Sequence, residues 1–153
     1  MRKITLLLIT ISFLFVTCKK DKKTTPFYDI TGTWSLQSWQ ESYTGGGFDA
    51  TVDQYPCMAG NLTTYNADNT ATGIYTGTSA CDVTPMGNGK VIIGEPGQPP
   101  LTNTYTRTGN NLYFEKVHGT ITSTNGKLYI TLVDTLYNLS TSPVIMTTVD
   151  VKR

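Results

Sequence analysis

The chain has 153 residues, a mass of 16.8 kDa and a formal net charge of +1 at pH 7. The charge is unevenly spread: from Phe27 onward six basic residues stand against ten acidic ones, a net of about −4, which excludes the basic face that nucleic acid requires. That stretch, residues 27–153, fits one domain. In chain order the first element is apolar. Arg2 and Lys3 precede Ile4 to Val16, thirteen residues interrupted only by Thr5, Thr10 and Ser12, which gives the charged n-region and apolar h-region of a signal peptide. The run is shorter than the roughly 17 to 25 apolar residues of a membrane helix. It ends in bulky Phe15 and Val16 and then Thr17-Cys18, where an ordinary signal peptide would end in small residues.

The stretch Phe15-Val16-Thr17-Cys18 resembles the lipobox of bacterial lipoprotein signal peptides. That resemblance implies cleavage before Cys18, a diacylglyceryl thioether on its sulfur, and acylation of its new amino group with a chain such as palmitate. Residues 1–17 are then the signal peptide, and the membrane is a partner through the lipid anchor. Several acyl chains are needed because one alone holds only marginally and reversibly. Residues 18–26, CKKDKKTTP, form a disordered lipid-anchored tether with four lysines and no apolar anchor. Where sorting reads the residue after the cysteine, Lys19 in place of aspartate implies the bacterial outer membrane. Both faces stay open, periplasmic and surface-exposed.

Three cysteines are an odd number for an exported chain. With Cys18 lipidated, Cys57 and Cys81 remain, and an oxidising compartment pairs them. Closing that loop stabilises by roughly 3–4 kcal/mol in the chain-entropy account.

The domain is rich in Thr, Tyr, Val, Ile and Gly, with turn clusters every ten or so residues and no helical period. Strands are predicted over Ile30 to Glu41, Asn61 to Asn66 and Thr70 to Thr76, the latter two joined through Ala67-Asp68-Asn69. Lys90 to Gly94 is a short strand. Leu101 to Arg107 and Asn111 to Lys116 pair across Thr108-Gly109-Asn110. His118 to Ser123 and Lys127 to Asp134 pair across Thr124-Asn125-Gly126, a strong hairpin signal. Val144 to Val151 closes the series. About eight strands joined by short turns predict an all-β fold, a small antiparallel up-and-down barrel, since closure removes exposed edges. A sandwich would show the same alternation.

The segments ITGTWSLQSW, then Cys57, the hairpin LTTYNADNTATGIY, Cys81 and the basic-ended TTVDVKR together resemble the lipocalin-like domain of anchored lipoproteins from Gram-negative bacteria. The resemblance spans nearly all of residues 27–153 and implies a lipocalin-like barrel. It implies that Gly32 and Trp34 sit at the closed end of the barrel, with Lys152 or Arg153 covering the indole by a cation–π contact.

Catalytic chemistry finds no support. His118 is the only imidazole, Asp134 and Asp150 read as solvated strand ends, and Gly45-Gly46-Gly47 precedes Phe48 rather than a helix, so it reads as a flexible loop. With one histidine and no Cys-x-x-Cys, no metal site is expected, and no cofactor. Asn61-Leu62-Thr63 and Asn138-Leu139-Ser140 match the glycosylation sequon without a reason for its use. Two functions fit. One is a membrane-anchored envelope lipoprotein binding a small hydrophobic molecule, lined by Trp39, Tyr65, Tyr75, Tyr105, Phe114 and Tyr129. The other is a filled barrel whose loops, Tyr43 to Pro56 and Cys81 to Pro100, contact an envelope protein or glycan. Nothing in the sequence sets an oligomeric state.

Overall fold

A computed structural model describes residues 26–83, 91–137 and 143–153. The expected signal peptide of residues 1–17, Cys18, the expected tether up to residue 25, Lys90 and the sequon at Asn138 lie outside the described residues. Among the described residues twelve strands follow in order: β1 (Gly32–Tyr43), β2 (Gly46–Thr51), β3 (Asn61–Tyr65), β4 (Thr70–Tyr75), β5 (Cys81–Val83), β6 (Val91–Gly94), β7 (Leu101–Thr104), β8 (Thr106–Thr108), β9 (Asn111–Tyr113), β10 (Val117–Thr124), β11 (Lys127–Tyr137) and β12 (Pro143–Lys152). A short 3₁₀ helix (Pro56–Gly60) leads into β3.

Local chemistry explains the hairpins. Asn125 and Gly126 both take positive φ, 51° and 77°, the pair a tight turn needs to match strand twist, and Thr124 faces Lys127 across it. Between β3 and β4, Asn69 also has positive φ. The Asp68 carboxylate there accepts from the Thr70 hydroxyl at 2.6 Å and its backbone N–H at 3.0 Å. A side chain that satisfies its own turn in this way favours the hairpin before any tertiary contact forms.

Nine strands form a nearly closed antiparallel barrel in the order β7-β4-β3-β1-β12-β11-β10-β9-β8, and β2 adds to the free edge of β1. Spatial neighbours therefore follow chain order, and the first and last strands close the ring over a long ladder from Trp34↔Lys152 to Ser42↔Ile145. The two ends of the sheet, β7 and β8, are separated in sequence by Tyr105 alone. β5 and β6 pair with each other in a separate two-stranded sheet.

Two sequence expectations are corrected. Leu101 to Arg107 does not pair as one strand with Asn111 to Lys116: β7 pairs with β4, and only β8 pairs with β9. The break falls at Tyr105 because its ring is buried, its N–H donates to Asn69 O, and its hydroxyl donates to Asn66 O. The second correction concerns the triple glycine: Gly45 sits in the turn, but Gly46 and Gly47 open β2, and a Cβ at Gly47 would lie 2.5 Å from the Glu41 carbonyl oxygen, so the close pairing requires glycine. Val91–Gly94, the described part of the strand predicted from Lys90, is β6 and pairs with β5 outside the barrel.

Two buried clusters fill the interior. One gathers Ile30, Trp34, Tyr65, Ala71, Tyr105, Leu112, Ile121 and Ile130. The other gathers Leu36, Ala50, Met58, Cys81 and Val83. They adjoin on β1, where the inward neighbours Trp34 and Leu36 belong one to each. Gly119 makes room for this packing: a Cβ there would meet Leu132 Cδ2 at 2.8 Å and Leu112 Cβ at 3.0 Å. The 3₁₀ helix and β5 belong to the second cluster through Met58 and Cys81, and the Cys57–Cys81 disulfide ties them together.

Candidate functional site

The barrel wall opens where β7 and β9–β10 diverge from the junction at Tyr105. A cleft of about 780 Å³ occupies this gap, inside the range of small-molecule sites, about 300–1,000 Å³. Its apolar wall comes from inward positions on separate strands: Tyr65 on β3, Ala71 on β4, Val117 on β10 and Leu132 on β11. Leu101 and Asn103 on β7 form one side, and Glu115 and Lys116 lie on the other. Leu101 is 67% exposed, an apolar side chain turned into the opening with nothing packed over it.

Of the six predicted lining residues, Tyr65, Tyr105 and Phe114 meet in this cleft. With Trp34 they form a run of aromatic contacts: Trp34 to Tyr65 at 5.9 Å between ring centroids, Tyr65 to Tyr105 at 5.6 Å and Tyr105 to Phe114 at 5.7 Å. Such tilted and edge-on pairs add to the burial energy. The other three lie elsewhere. Trp39 packs on the second cluster, with its indole N–H donating to Glu41 Oε1 at 3.2 Å. Tyr75 packs there too, its hydroxyl donating to Ser79 O. Tyr129 neighbours the inward Ile130 and so points to the outer face.

At the end of the barrel marked by Trp34, the indole is fully buried and donates to Ile30 O at 2.8 Å. Gly32 has φ +109°, a conformation other residues rarely adopt. Lys152 stands opposite Trp34 in the ladder, its ammonium held 2.9 Å from Asp29 O and 3.8 Å from the Asp29 carboxylate. Arg153 donates instead to Ala59 O at 3.0 Å. The cation–π contact at this end is Arg107 over the Phe27 ring, 3.8 Å from its centroid, and the same guanidinium donates to Tyr28 O.

Among the described residues three acidic groups face the interior, Asp150, Asp134 and Glu41, the last receiving the Trp39 indole N–H. Asp150 lies between Leu36 and Ile130 in the ladders, is 5% exposed, and burial alone pushes its carboxyl up to about 7. The Tyr65 phenol is raised as well, first by burial and then by Asp150. Asp134, opposite Met146 and Val117, shares the inward face. On β12 its ladder partner is four residues from Asp150, about 13 Å of strand, so the two carboxyls do not form an acid–base pair. His118 stacks edge-on against Tyr113 at 5.4 Å on the outer face. Among the described residues no group of three metal-ligating side chains occurs. The cleft is an apolar recess with a few polar groups at its walls.

Leu101, Asn103, Val117 and Leu132 were absent from the predicted lining. Alternation with Ile130 marks Leu132 as inward. Leu101 and Asn103 depend on β7 pairing with β4, which no local signal reveals. No family model, curated protein or solved structure matches this chain.

Proposed function

We propose that this chain is a lipid-anchored lipoprotein of the bacterial outer membrane whose lipocalin-like barrel binds a small hydrophobic molecule. The observation that carries the reading is the cleft of about 780 Å³, walled by Tyr65, Tyr105, Phe114, Val117 and Leu132 and open to solvent beside an exposed Leu101. Burial of apolar ligand surface there supplies roughly 25 cal/mol per Å² before ordering costs. Acylation at Cys18 and the tether of residues 18–26 place the domain at the membrane surface, where apolar molecules concentrate.

Native mass spectrometry of residues 26–153, incubated with an extract of envelope lipids and metabolites beside a delipidated control, tests this. A retained apolar species of defined mass is the expected result. A clean apo mass throughout would reject the carrier reading and leave a filled barrel acting through its loops.

A further inference from the structure

The polar groups of the cleft and the barrel interior select among apolar ligands, an argument that rests on the cleft being the binding site. Tyr65 lines the cleft and is 1% exposed, yet its hydroxyl has no hydrogen-bond partner. Buried phenols ordinarily find one, as the neighbouring Tyr105 does at Asn66 O. A second orphan shares the inward face: Asp134 Oδ1 is buried without a partner. Asp134 stands directly across from cleft-lining Val117 and two residues beyond cleft-lining Leu132. Asp150 and Glu41 face the same interior by ladder register, Glu41 opposite Met146 and Asp150 opposite Ile130.

No described cation answers these groups from within. Arg107 is held by Tyr28 O and Gly109 O, Lys152 by Asp29, and Arg153 by Ala59 O. Lys127 opens β11 at an exposed turn, and Lys116 lies at the cleft margin beside Glu115. Of these acids Glu41 receives the Trp39 indole N–H, whereas Asp134 Oδ1 is buried with no donor to meet it. At Asp134 a carboxylate would face like charge, whereas an ammonium brings three donors and the opposite charge.

We propose that the cleft takes an apolar amine, with its ammonium directed to the unpaired Asp134 carboxylate across from cleft-lining Val117. The test compares probes of equal chain length: decylamine, decanol and decanoate, each displacing a fluorescent neutral naphthalene dye from the full chain carrying Cys18→Ser, refolded with its disulfide closed. That substitution removes the protein's own acyl chains as competitors. At pH 7.5 decylamine should bind tighter than decanoate by on the order of tenfold or more, with decanol between them. Asp134→Asn should shrink the amine-to-decanol ratio severalfold while leaving decanol displacement in place. Decanoate binding as tightly as decylamine would overturn the proposal, and so would an unchanged ratio in the variant. If the variant does not fold, the ranking on the unsubstituted barrel decides alone. Failure of all three probes to displace the dye would instead bring down the cleft as a hydrophobic binding site.

Discussion

Asp150 is a carboxyl on the inward face of a strand, between Leu36 and Ile130. Its ordinary value of 3.8 rises to about 7 in the folded barrel, so between those values the native state holds a proton that the unfolded chain has lost. Stability therefore falls as pH rises from about 4 to about 7 and levels above that, a loss of roughly 2–4 kcal/mol. Asp29 and Asp68 work in the other direction: hydrogen bonds from Thr31 and Thr70 lower them, so their share is lost only as pH drops below the usual carboxylate range. Urea denaturation should give a lower midpoint at pH 8 than at pH 5, and Asp150→Asn should flatten that difference. An equal drop in the variant would show that another group is responsible. Such a residue is not legible in the chain, where an acid two places from Lys152 reads as a solvated strand end. Trp34, by contrast, is flagged by the Gly-x-Trp it completes, and its burial follows from that position.

At the scale of elements, legibility tracks the range of the causes. The β3–β4 and β10–β11 hairpins were readable because Asp68-Asn69 and Asn125-Gly126 encode their own turns. β2 was hidden by glycines that look flexible until their pairing with β1 is known. β5 is only three residues long, and it is held by the disulfide and by packing on Met58 rather than by propensity. This makes the bridge its main constraint. Replacing both Cys57 and Cys81 by serine should cost roughly 3 kcal/mol, the loop-closure entropy of a 24-residue separation. Hydrogen exchange should rise first in β5, β6 and the 3₁₀ helix, while the β1–β12 ladder keeps its protection. Uniform loss across the barrel would mean that the second cluster is integral to the closed sheet.

For the whole molecule, the all-β class and the neighbour order were legible from spacing and turn chemistry, since strands joined by short turns have few ways to pair. The location of the opening was not, because it depends on one strand serving two partners. Membrane attachment belongs to this scale as well. Cys18→Ser should move the protein from the membrane fraction to the soluble one without changing the folded domain's melting temperature. Retention in membranes would reject the lipid anchor. The Tyr105 junction has a mechanical consequence. β7 and β8 diverge from a single residue and share no ladder pairing with each other, so spreading them bends the chain at one point and breaks no strand pair. The stiffness of the gap is that of a one-residue pivot steadied by the Tyr105 ring. The width of the gap is thus set by a point hinge and not by a hydrogen-bonded ladder.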